Sequence, residues 1–234
     1  MLSGTVLDVV GASGSGSSVH WMATMRSVTR STAGEAVRAI GRWASSVAAV
    51  GPLDPPARRY SHFGQGTIVG WPTGNMYGER WIHLGSDTMI AAHVTLSAGM
   101  TPDQEMVTSP VVKIGDRCLI GRGTAIVGHF SIDIGDDVYT GMNVYITDQN
   151  HTYENLDEPI GRQWPVEAPV SIGAGSWIGS GAIILPGAQI GKHVVVAANS
   201  VVRGDVPDRC VVAGVPGRVV RQHDEQTGWG RPPA

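Results

Sequence analysis

The sequence predicts an all-β fold in which short strands stack into a parallel β-helix. Two observations support this prediction. Aliphatic side chains recur every six residues over long stretches of the chain, and glycine is abundant, with 32 residues, whereas phenylalanine occurs only twice. Short strands of β-branched residues joined by tight turns are expected to have such a composition.

The six-residue repeat is clearest in the second half of the chain, where six aliphatic residues follow one another at this spacing: Ile172, Ile178, Ile184, Ile190, Val196 and Val202. A small or β-branched residue stands two positions before each of them: Val170, Ser176, Ala182, Ala188, Val194 and Ser200. The spacing also occurs upstream, at Ile114, Ile120, Ile126 and Ile132, then shifted by two at Ile134, Thr140 and Ile146, and more weakly at Leu84, Ile90 and Leu96.

A period of six residues suits strands and not helices. It is a multiple of the two-residue alternation of a strand, and it fits poorly with 3.6 residues per helical turn. One six-residue unit cannot bury its own apolar side, but stacked units form a continuous core in which each strand pairs with the strand one coil away. A β-sandwich is the alternative, although its strands recur at longer intervals and without a fixed register.

Charge and cysteine content exclude several classes of function. The net charge is −3, from 17 basic and 20 acidic residues, and no dense Lys/Arg cluster appears, so nucleic acid is not an expected partner. Cys118 and Cys210 lie far apart and form no metal-binding motif. The first residues lack the pattern of a secretory signal, and no run of about 18 apolar residues occurs. These features predict a cytoplasmic protein.

The N-terminal segment 1–59 has a different character from the repeat. Residues 1–18 are rich in Gly and Ser, and we expect them to be mobile. Residues 33–50 carry apolar residues at helical spacing, which predicts a helix packed on the β-helix. Attachment to a membrane surface is the alternative for this helix. Residues 51–59 contain three prolines and are predicted to be a linker.

The predicted β-helix domain covers residues 60–222. From Pro216 onward we expect a short helix that closes the last coil, because the last strands otherwise expose unpaired edges. The tail 223–234 is expected to be loose.

A long polar segment, residues 148–169, interrupts the repeat after Ile146. An insertion at a corner of a β-helix projects from the rod without breaking the column, and this one carries His151 near its start. A neutral imidazole can take a proton from an alcohol near neutral pH, because histidine has an unperturbed pKa of about 6.5. The loop also holds four candidates for a substrate pocket, which could equally serve bonds and packing within the loop: Asp148, Asn150, Tyr153 and Trp164.

A second histidine, His129, is predicted to lie near His151. If Ile126 stacks on Ile146, with a two-residue bulge around residues 132–134, the two histidines leave the column at the same corner, about one strand spacing apart. Two imidazoles and Asp148 could then bind zinc.

Several motifs together resemble the hexapeptide-repeat acyltransferases, specifically the branch of maltose, galactoside and polysaccharide O-acetyltransferases. They are IGAGSWIGSGAIILPGAQIG, VVRGDVPDRCVVAGVPGRVVR and the loop NHTYENLDEPIGRQ, within about residues 60–222. The resemblance implies a left-handed β-helix with three hexapeptides per coil, a homotrimer with active sites between subunits, and acetyl-CoA or another short acyl-CoA as donor. It also implies that His129, His151 and Asp148 bind no metal.

The resemblance also implies roles for individual residues. His151 takes the position of the general base, and His129 that of a polar residue that contacts the acceptor, often a carboxylate in relatives. Ser180 would lie near the thioester and Ala198 beside the pantetheine arm. The nucleotide phosphates would contact three arginines: Arg203, Arg218 and Arg221. Where the family often has Thr-Lys this chain has Arg203 and Gly204, which displaces the basic charge by one position.

The hypothesis is therefore an acyl-CoA-dependent O-acyltransferase that acetylates a hydroxyl of a saccharide or glycolipid precursor. Two alternatives stay open. The chain could be a noncatalytic β-helix scaffold or carbohydrate-binding subunit, or it could acetylate the nitrogen of an amino sugar. The residues decide neither the acceptor nor the length of the acyl group.

Overall fold

The structure is a computed structural model that describes the backbone of residues 16–231 and the side chains of residues 32–231. The chain divides into two compact units, residues 1–44 and 45–234. The helix α1 spans Gly16–Ala48, so it begins well before the predicted residue 33 and stops short of residue 50. Its side chains Val37, Ile40 and Val47 are exposed, and its packing on the β-helix stays a prediction. Of the segment expected to be mobile, residues 1–15 lie outside the described residues and residues 16–18 begin the helix.

The second unit is a left-handed parallel β-helix, as predicted, whose strands form three flat faces. Face 1 contains β1 (His62–Phe63), β4 (Ile82–Leu84), β7 (Val112–Ile114), β10 (Ile132–Ile134), β15 (Val170–Ile172), β18 (Gln189–Ile190) and β21 (Asp205–Val206). Face 2 contains β2 (Ile68–Val69), β5 (Met89–Ile90), β8 (Leu119–Ile120), β11 (Tyr139–Thr140), β16 (Trp177–Ile178), β19 (Val195–Val196) and β22 (Cys210–Ala213). Face 3 contains β3 (Met76–Tyr77), β6 (Thr95–Ala98), β9 (Ala125–Gly128), β12 (Tyr145–Thr147), β17 (Ile183–Ile184) and β20 (Val201–Val202).

The described residues contain three short 3₁₀ helices: Pro55–Arg59 between α1 and β1, and Glu79–Trp81 and Ile160–Arg162 between strands. The first occupies part of the predicted linker, where prolines at the first two positions supply the required backbone angle without losing a hydrogen bond.

The repeat residues form the core because each coil places one of them inside at every face. Ile178, Ile184 and Ile126 have no exposed surface. Ile126 pairs with Ile146 across adjacent coils, as the spacing predicted. Burying one such side chain contributes about 1.5–3 kcal/mol, so the column of aliphatic residues is the main source of stability of the β-helix.

Turns between faces need two special backbone positions. One is a residue with positive φ, for example Asn199 at 58° and His193 at 56°. The other is a glycine beside the next coil, since a Cβ on Gly179 would lie 2.5 Å from the backbone nitrogen of Ala198. Such a distance is far inside van der Waals contact, which explains why glycine follows the aliphatic residue in so many repeats.

Three successive coils, which contain β6, β9 and β12, are longer than a regular coil, and in each of these three the extra residues lie at the corner between faces 3 and 1. A regular coil of three hexapeptides separates the paired residues Ile172 and Ile190. The steps between the paired residues of three earlier coils are longer: Leu84 to Ile114, Ile114 to Ile134, and Ile134 to Ile172. The extra residues lie in the first insertion (99–110), in the corner 128–131, and in the second insertion (148–169). The predicted bulge thus exists, but it lies before Ile132.

The predicted short C-terminal helix is wrong. Residues Arg218–Asp224 form β23, which pairs antiparallel with β22, and Gly228–Gly230 form β24, which pairs with β23. The free edge of β22 offers backbone N–H and C=O groups, and an antiparallel strand satisfies them directly, whereas a helix cannot. For the same reason the described part of the tail is paired and not loose.

Candidate active site

The candidate site lies at the corner between faces 3 and 1, where three successive coils carry extra residues. In the second insertion, β13 (Gln149–His151) and β14 (Pro165–Glu167) form an antiparallel hairpin. His151 lies opposite Pro165, and Gln149 lies opposite Glu167. A hydrogen bond of 2.8 Å from the Ala168 N–H to the Asp148 carbonyl closes the hairpin at its base.

His151 is exposed, and one of its ring nitrogens forms a hydrogen bond with the backbone of the loop. Its Nδ1 lies 3.3 Å from the carbonyl oxygen of Gln163. A carbonyl oxygen can only accept, so this contact requires the proton of the neutral imidazole on Nδ1 and leaves the lone pair on Nε2. The exposed ring can therefore accept a proton from a molecule bound beside the hairpin.

Gln163 organises the loop around His151. Its side chain is buried, and its amide nitrogen donates to the carbonyl oxygens of Asn155 at 2.8 Å and Glu158 at 2.9 Å. Its amide oxygen accepts the Asn155 N–H at 3.3 Å. Because these bonds tie three points of the loop together, they fix the backbone carbonyl that contacts His151.

Asp148 does not face a substrate pocket, contrary to expectation. Its side chain is fully buried, and its carboxylate accepts three backbone N–H groups, from His129 at 2.8 Å, Phe130 at 2.8 Å and Ser131 at 2.6 Å. Burial raises the pKa of the carboxyl group, while these three hydrogen bonds oppose the shift. Asp148 thus holds the corner 128–131 in place, because all three donors belong to it.

His129 is also unavailable to an acceptor in this arrangement, although the sequence predicted acceptor contact. Its side chain is only 5% exposed. Its Nδ1 contacts the carboxylate of Glu167, and its Nε2 lies 3.1 Å from the amide nitrogen of Gln104 in the first insertion. Both ring nitrogens are therefore occupied by protein groups.

The remaining pocket candidates are accessible. Trp164 and Tyr153 are 68% and 69% exposed, and Asn150 is exposed as well. The Trp164 ring approaches the His129 ring edge to face, with centroids 6.0 Å apart. Trp164 hence offers a free aromatic surface on the same hairpin as His151.

The residues predicted to bind the donor lie at a different corner, between faces 2 and 3. Ser180 and Ala198 each follow a face 2 strand by two residues, and those strands pair directly. They are accordingly one coil apart, and both are exposed. The Ser180 hydroxyl accepts the N–H of Met142 at 3.1 Å, from the preceding coil of the same corner.

The three arginines do not share one location. Arg203 follows β20 at the corner between faces 3 and 1, whereas Arg218 and Arg221 belong to β23 beside face 2. The Arg218 guanidinium donates to the Gly217 carbonyl at 2.9 Å, and that of Arg221 donates to the Trp229 carbonyl at 3.3 Å. All three side chains are exposed.

Sequence reasoning missed Gln104, Gln163 and Glu167. The long gap between Leu96 and Ile114 was a visible signal of the first insertion. Nothing in the spacing could show that Gln104 reaches His129 across a coil. The partners of Gln163 and Glu167 likewise depend on how the hairpin folds back.

Within residues 32–231, no group of three or more His, Cys, Asp or Glu side chains is arranged to hold a metal ion. In the described part of the chain, no helix has both the length and the apolar character required to span a bilayer.

Two family profiles match parts of the β-helix. "Bacterial transferase hexapeptide (six repeats)" matches residues 169–204, and "Hexapeptide repeat of succinyl-transferase" matches residues 111–148. A galactoside O-acetyltransferase of Lactococcus lactis is 32% identical, and the similarity covers 52% of this chain and 69% of that protein. The chain belongs to the hexapeptide-repeat acyltransferase family.

Other members of the family show how far the similarity extends. A protein of Mycobacterium tuberculosis named "Probable acetyltransferase" is 32% identical over 150 residues, which are 64% of this chain and 44% of that protein. This hexapeptide-repeat chain therefore spans less than half of that relative. The solved structure of AntD, an N-acyltransferase from Bacillus cereus in complex with dTDP and 3-hydroxybutyryl-CoA, shares the fold, with a TM-score of 0.59, 18% identity, and coverage of 73% of this chain and 87% of that one.

Proposed function

We propose that this hexapeptide-repeat protein is an acyl-CoA-dependent O-acyltransferase with His151 as its general base. The observation that carries the proposal is the hydrogen bond between His151 Nδ1 and the Gln163 carbonyl, which leaves Nε2 as a proton acceptor on an exposed hairpin. Family membership supports the reaction class, and acetyl is the acyl group that the names of the relatives favour.

In this mechanism, His151 Nε2 takes the proton of an acceptor hydroxyl while the hydroxyl oxygen attacks the carbonyl carbon of the thioester. The resulting imidazolium returns the proton to the sulfur as the carbon–sulfur bond breaks, so the products are an ester and free CoA. Base assistance of this kind typically contributes 10²- to 10⁴-fold in rate. No metal is assigned a role in this scheme.

We assign the acceptor side to Asn150, Tyr153 and Trp164, because these side chains are exposed on the hairpin that carries His151. A tryptophan face suits a sugar ring, since it is flat and apolar with a polar edge. Asp148 and His129 are assigned positioning roles instead, because their polar atoms already bind protein groups.

The donor side is assigned to Ser180 and Ala198, with Arg203, Arg218 and Arg221 toward the nucleotide phosphates. Guanidinium groups bind phosphate through a charged fork of donors. Because His151 and the pair Ser180 and Ala198 lie at different corners of the rod, the proposal includes a homotrimer. In it, the hairpin of one subunit meets the donor corner of its neighbour.

The charge of the insertions narrows the acceptor class. Residues 99–110 and 148–169 expose one basic side chain, Arg162, and four acidic side chains: Asp103, Glu105, Glu154 and Asp157. Two further acidic side chains, Glu158 and Glu167, are partly exposed, and Asp148 is buried. Such a surface favours a neutral saccharide over a phosphorylated one. It also favours an amino sugar, so N-acetylation is the second candidate function.

The test is release of free CoA from acetyl-CoA over a panel of saccharide acceptors, with His151→Ala beside the wild type. A matched control is His62→Ala, because His62 is an exposed histidine on face 1 that stacks on His83. We expect His151→Ala to lose at least 10²-fold in kcat and His62→Ala to keep its activity. An active His151→Ala variant would contradict the base assignment, and tight CoA binding without turnover on any acceptor would favour a noncatalytic scaffold.

A further inference from the structure

The first insertion contacts the site through a chain of three polar side chains, of which the central one is buried and the outer two are partly exposed. Gln104, from residues 99–110, faces His129 on the next coil, and His129 in turn contacts Glu167 on the hairpin of the coil after that. We name these three residues the polar clasp. We propose that the polar clasp is a positioning element, which holds His129 in one tautomer and thereby fixes the hairpin that presents His151. This inference rests on the function proposed above.

The orientation of Gln104 determines where the protons lie. Its amide oxygen accepts the Met100 N–H at 2.7 Å, so the atom that faces His129 Nε2 is the NH₂ group, which can only donate. His129 Nε2 must therefore accept, and the ring proton lies on Nδ1. From Nδ1 it is donated to the Glu167 carboxylate.

Gln104 also opposes the charged form of His129. A carboxylate such as Glu167 favours the imidazolium beside it. The imidazolium would however direct a second N–H against the NH₂ group of Gln104 at a distance of 3.1 Å. Since His129 is only 5% exposed, water cannot easily replace the lost contact. Gln104 is thus the group that selects the neutral tautomer.

The polar clasp connects directly to the hairpin. Glu167 lies two residues after Pro165, the pairing partner of His151, and the Trp164 ring contacts the His129 ring. The carbonyl of Gln163 accepts from His151. Residues 163–167 are therefore held by His129 on one side and contact the base on the other, so releasing His129 would free the segment that orients His151.

The first insertion is itself bonded to the β-helix, so it can serve as the fixed end of the polar clasp. Arg80 donates to the Gln104 carbonyl at 3.4 Å and pairs with Glu105 at 2.7 Å. The Gly99 N–H donates to the Gly128 carbonyl at 2.9 Å, which joins the insertion to the corner that carries His129.

The first experiment compares Gln104→Met with Asp103→Asn. Methionine keeps the length of Gln104 but removes the amide, whereas Asp103 is an exposed neighbour outside the polar clasp and outside the ion pair that holds the first insertion. Limited trypsin digestion at Arg162, an exposed site in the hairpin loop, reports the mobility of the hairpin without any need for activity. We expect cleavage about tenfold faster in Gln104→Met and unchanged in Asp103→Asn. Equal cleavage in Gln104→Met and wild type overturns the proposal.

The second experiment determines which ring nitrogen of His129 carries the proton. In protein labelled with ¹⁵N histidine, long-range proton–nitrogen spectra distinguish Nδ1–H from Nε2–H, and the His129→Asn variant identifies the signal. We expect Nδ1–H in the wild type and an imidazolium in Gln104→Glu, which places a carboxylate on each side of the ring. A wild-type ring with its proton on Nε2 overturns the proposal. The digestion and the spectra can both be measured even if the protein turns over no acceptor. A failure of this inference can therefore be distinguished from a failure of the proposed function.

The third readout is kinetic. A misplaced base costs up to about 10²-fold in rate, so Gln104→Met is expected to lower kcat/KM for the acceptor by about 10- to 100-fold, with the KM for acyl-CoA within about twofold of wild type. Equal losses on both substrates, together with a lower midpoint of thermal unfolding, would indicate general damage to the fold and contradict a positioning role.

Discussion

The Nδ1 atom of His151 lies 3.3 Å from the carbonyl oxygen of Gln163, twelve residues later in the chain. This contact joins β13 to the loop of the hairpin, where the side chain of Gln163 binds the backbone of Asn155 and Glu158. The orientation of the candidate base therefore depends on a buried amide that itself has no chemical role in acyl transfer.

Gln163→Met is expected to reduce kcat by about 10²-fold while leaving the global midpoint of unfolding within a few degrees of wild type. The substitution keeps the volume of the side chain but leaves the carbonyls of Asn155 and Glu158 without their donor, so the loop relaxes and His151 moves. Steady-state kinetics of CoA release measure the effect. Gln65→Met, at an exposed glutamine on another corner, is the control and should behave as wild type.

Asp148→Asn is expected to destabilise the β-helix by about 1–3 kcal/mol near neutral pH, because an amide presents two donors to N–H groups that need an acceptor. Urea unfolding followed by circular dichroism measures the difference.

The pH dependence of this stability difference is a second test. The folded-state pKa of Asp148 lies above its ordinary value of 3.8, so between these two pKa values the folded state binds more protons than the unfolded state. The stability of the wild type relative to Asp148→Asn should then be largest below that ordinary value and decline as the pH rises through the folded-state pKa. The opposite slope would contradict the raised pKa.

The stacked core was predictable from sequence because one physical requirement governs it. Every coil must place an aliphatic residue inside at each face, so Ile172, Ile178 and Ile184 recur at a spacing that can be read directly. The long second insertion was predictable for the same reason, since it breaks that spacing. The C-terminal strands were not, because β23 carries no repeat and its pairing with β22 satisfies an edge that only the folded chain exposes.

The candidate site was only partly predictable. The position of His151 followed from its motif, but the contacts of His129 and Asp148 did not, since both are saturated by partners distant in sequence. Asp148 binds a corner 17 to 19 residues earlier, and His129 binds Glu167 at a separation of 38 residues. Periodicity identifies which coil a residue occupies, whereas the folding of an insertion determines which polar groups meet.

Substitution of two adjacent isoleucines distinguishes the contribution of core packing to stability from that of the surface. Ile184 is fully buried, whereas its neighbour Ile183 points outward on face 3 and is partly exposed. Ile184→Ala should lose about 2–5 kcal/mol of unfolding free energy because it leaves a cavity in a column that cannot collapse. Ile183→Ala should lose less than about 1.5 kcal/mol in the monomer, and chemical denaturation of the two variants side by side checks the contrast. Equal losses would contradict the assignment of the inner face.

The acidic insertions predict a preference among acceptors. A saccharide phosphate should have a lower kcat/KM than the same saccharide without phosphate, and the difference should shrink as the salt concentration rises, because ions screen charges beyond about 8 Å at physiological ionic strength. The charge-reduced variant Glu154→Gln with Asp157→Asn should narrow the difference at low salt, since both side chains are exposed on the hairpin loop. A preference for the phosphorylated acceptor would contradict this electrostatic argument.

Mixing two inactive variants tests whether the active site is shared between subunits. His151→Ala removes the base, and Ala198→Trp fills the exposed donor corner with a bulky ring, so each variant alone should be inactive. If the site joins the hairpin of one subunit to the donor corner of another, a complex that contains both variants has some sites with an intact hairpin and an intact donor corner. In a trimer that contains both variants, one of the three sites has an intact hairpin and an intact donor corner, so the mixed complex should have about a third of wild-type activity. Coexpression with two different affinity tags, followed by purification on both, isolates the mixed complex for the assay of CoA release. A mixed complex without activity would mean that both halves must come from one chain. Since His151 and Ala198 lie at different corners of the rod, such a result would require the second insertion to cross face 3.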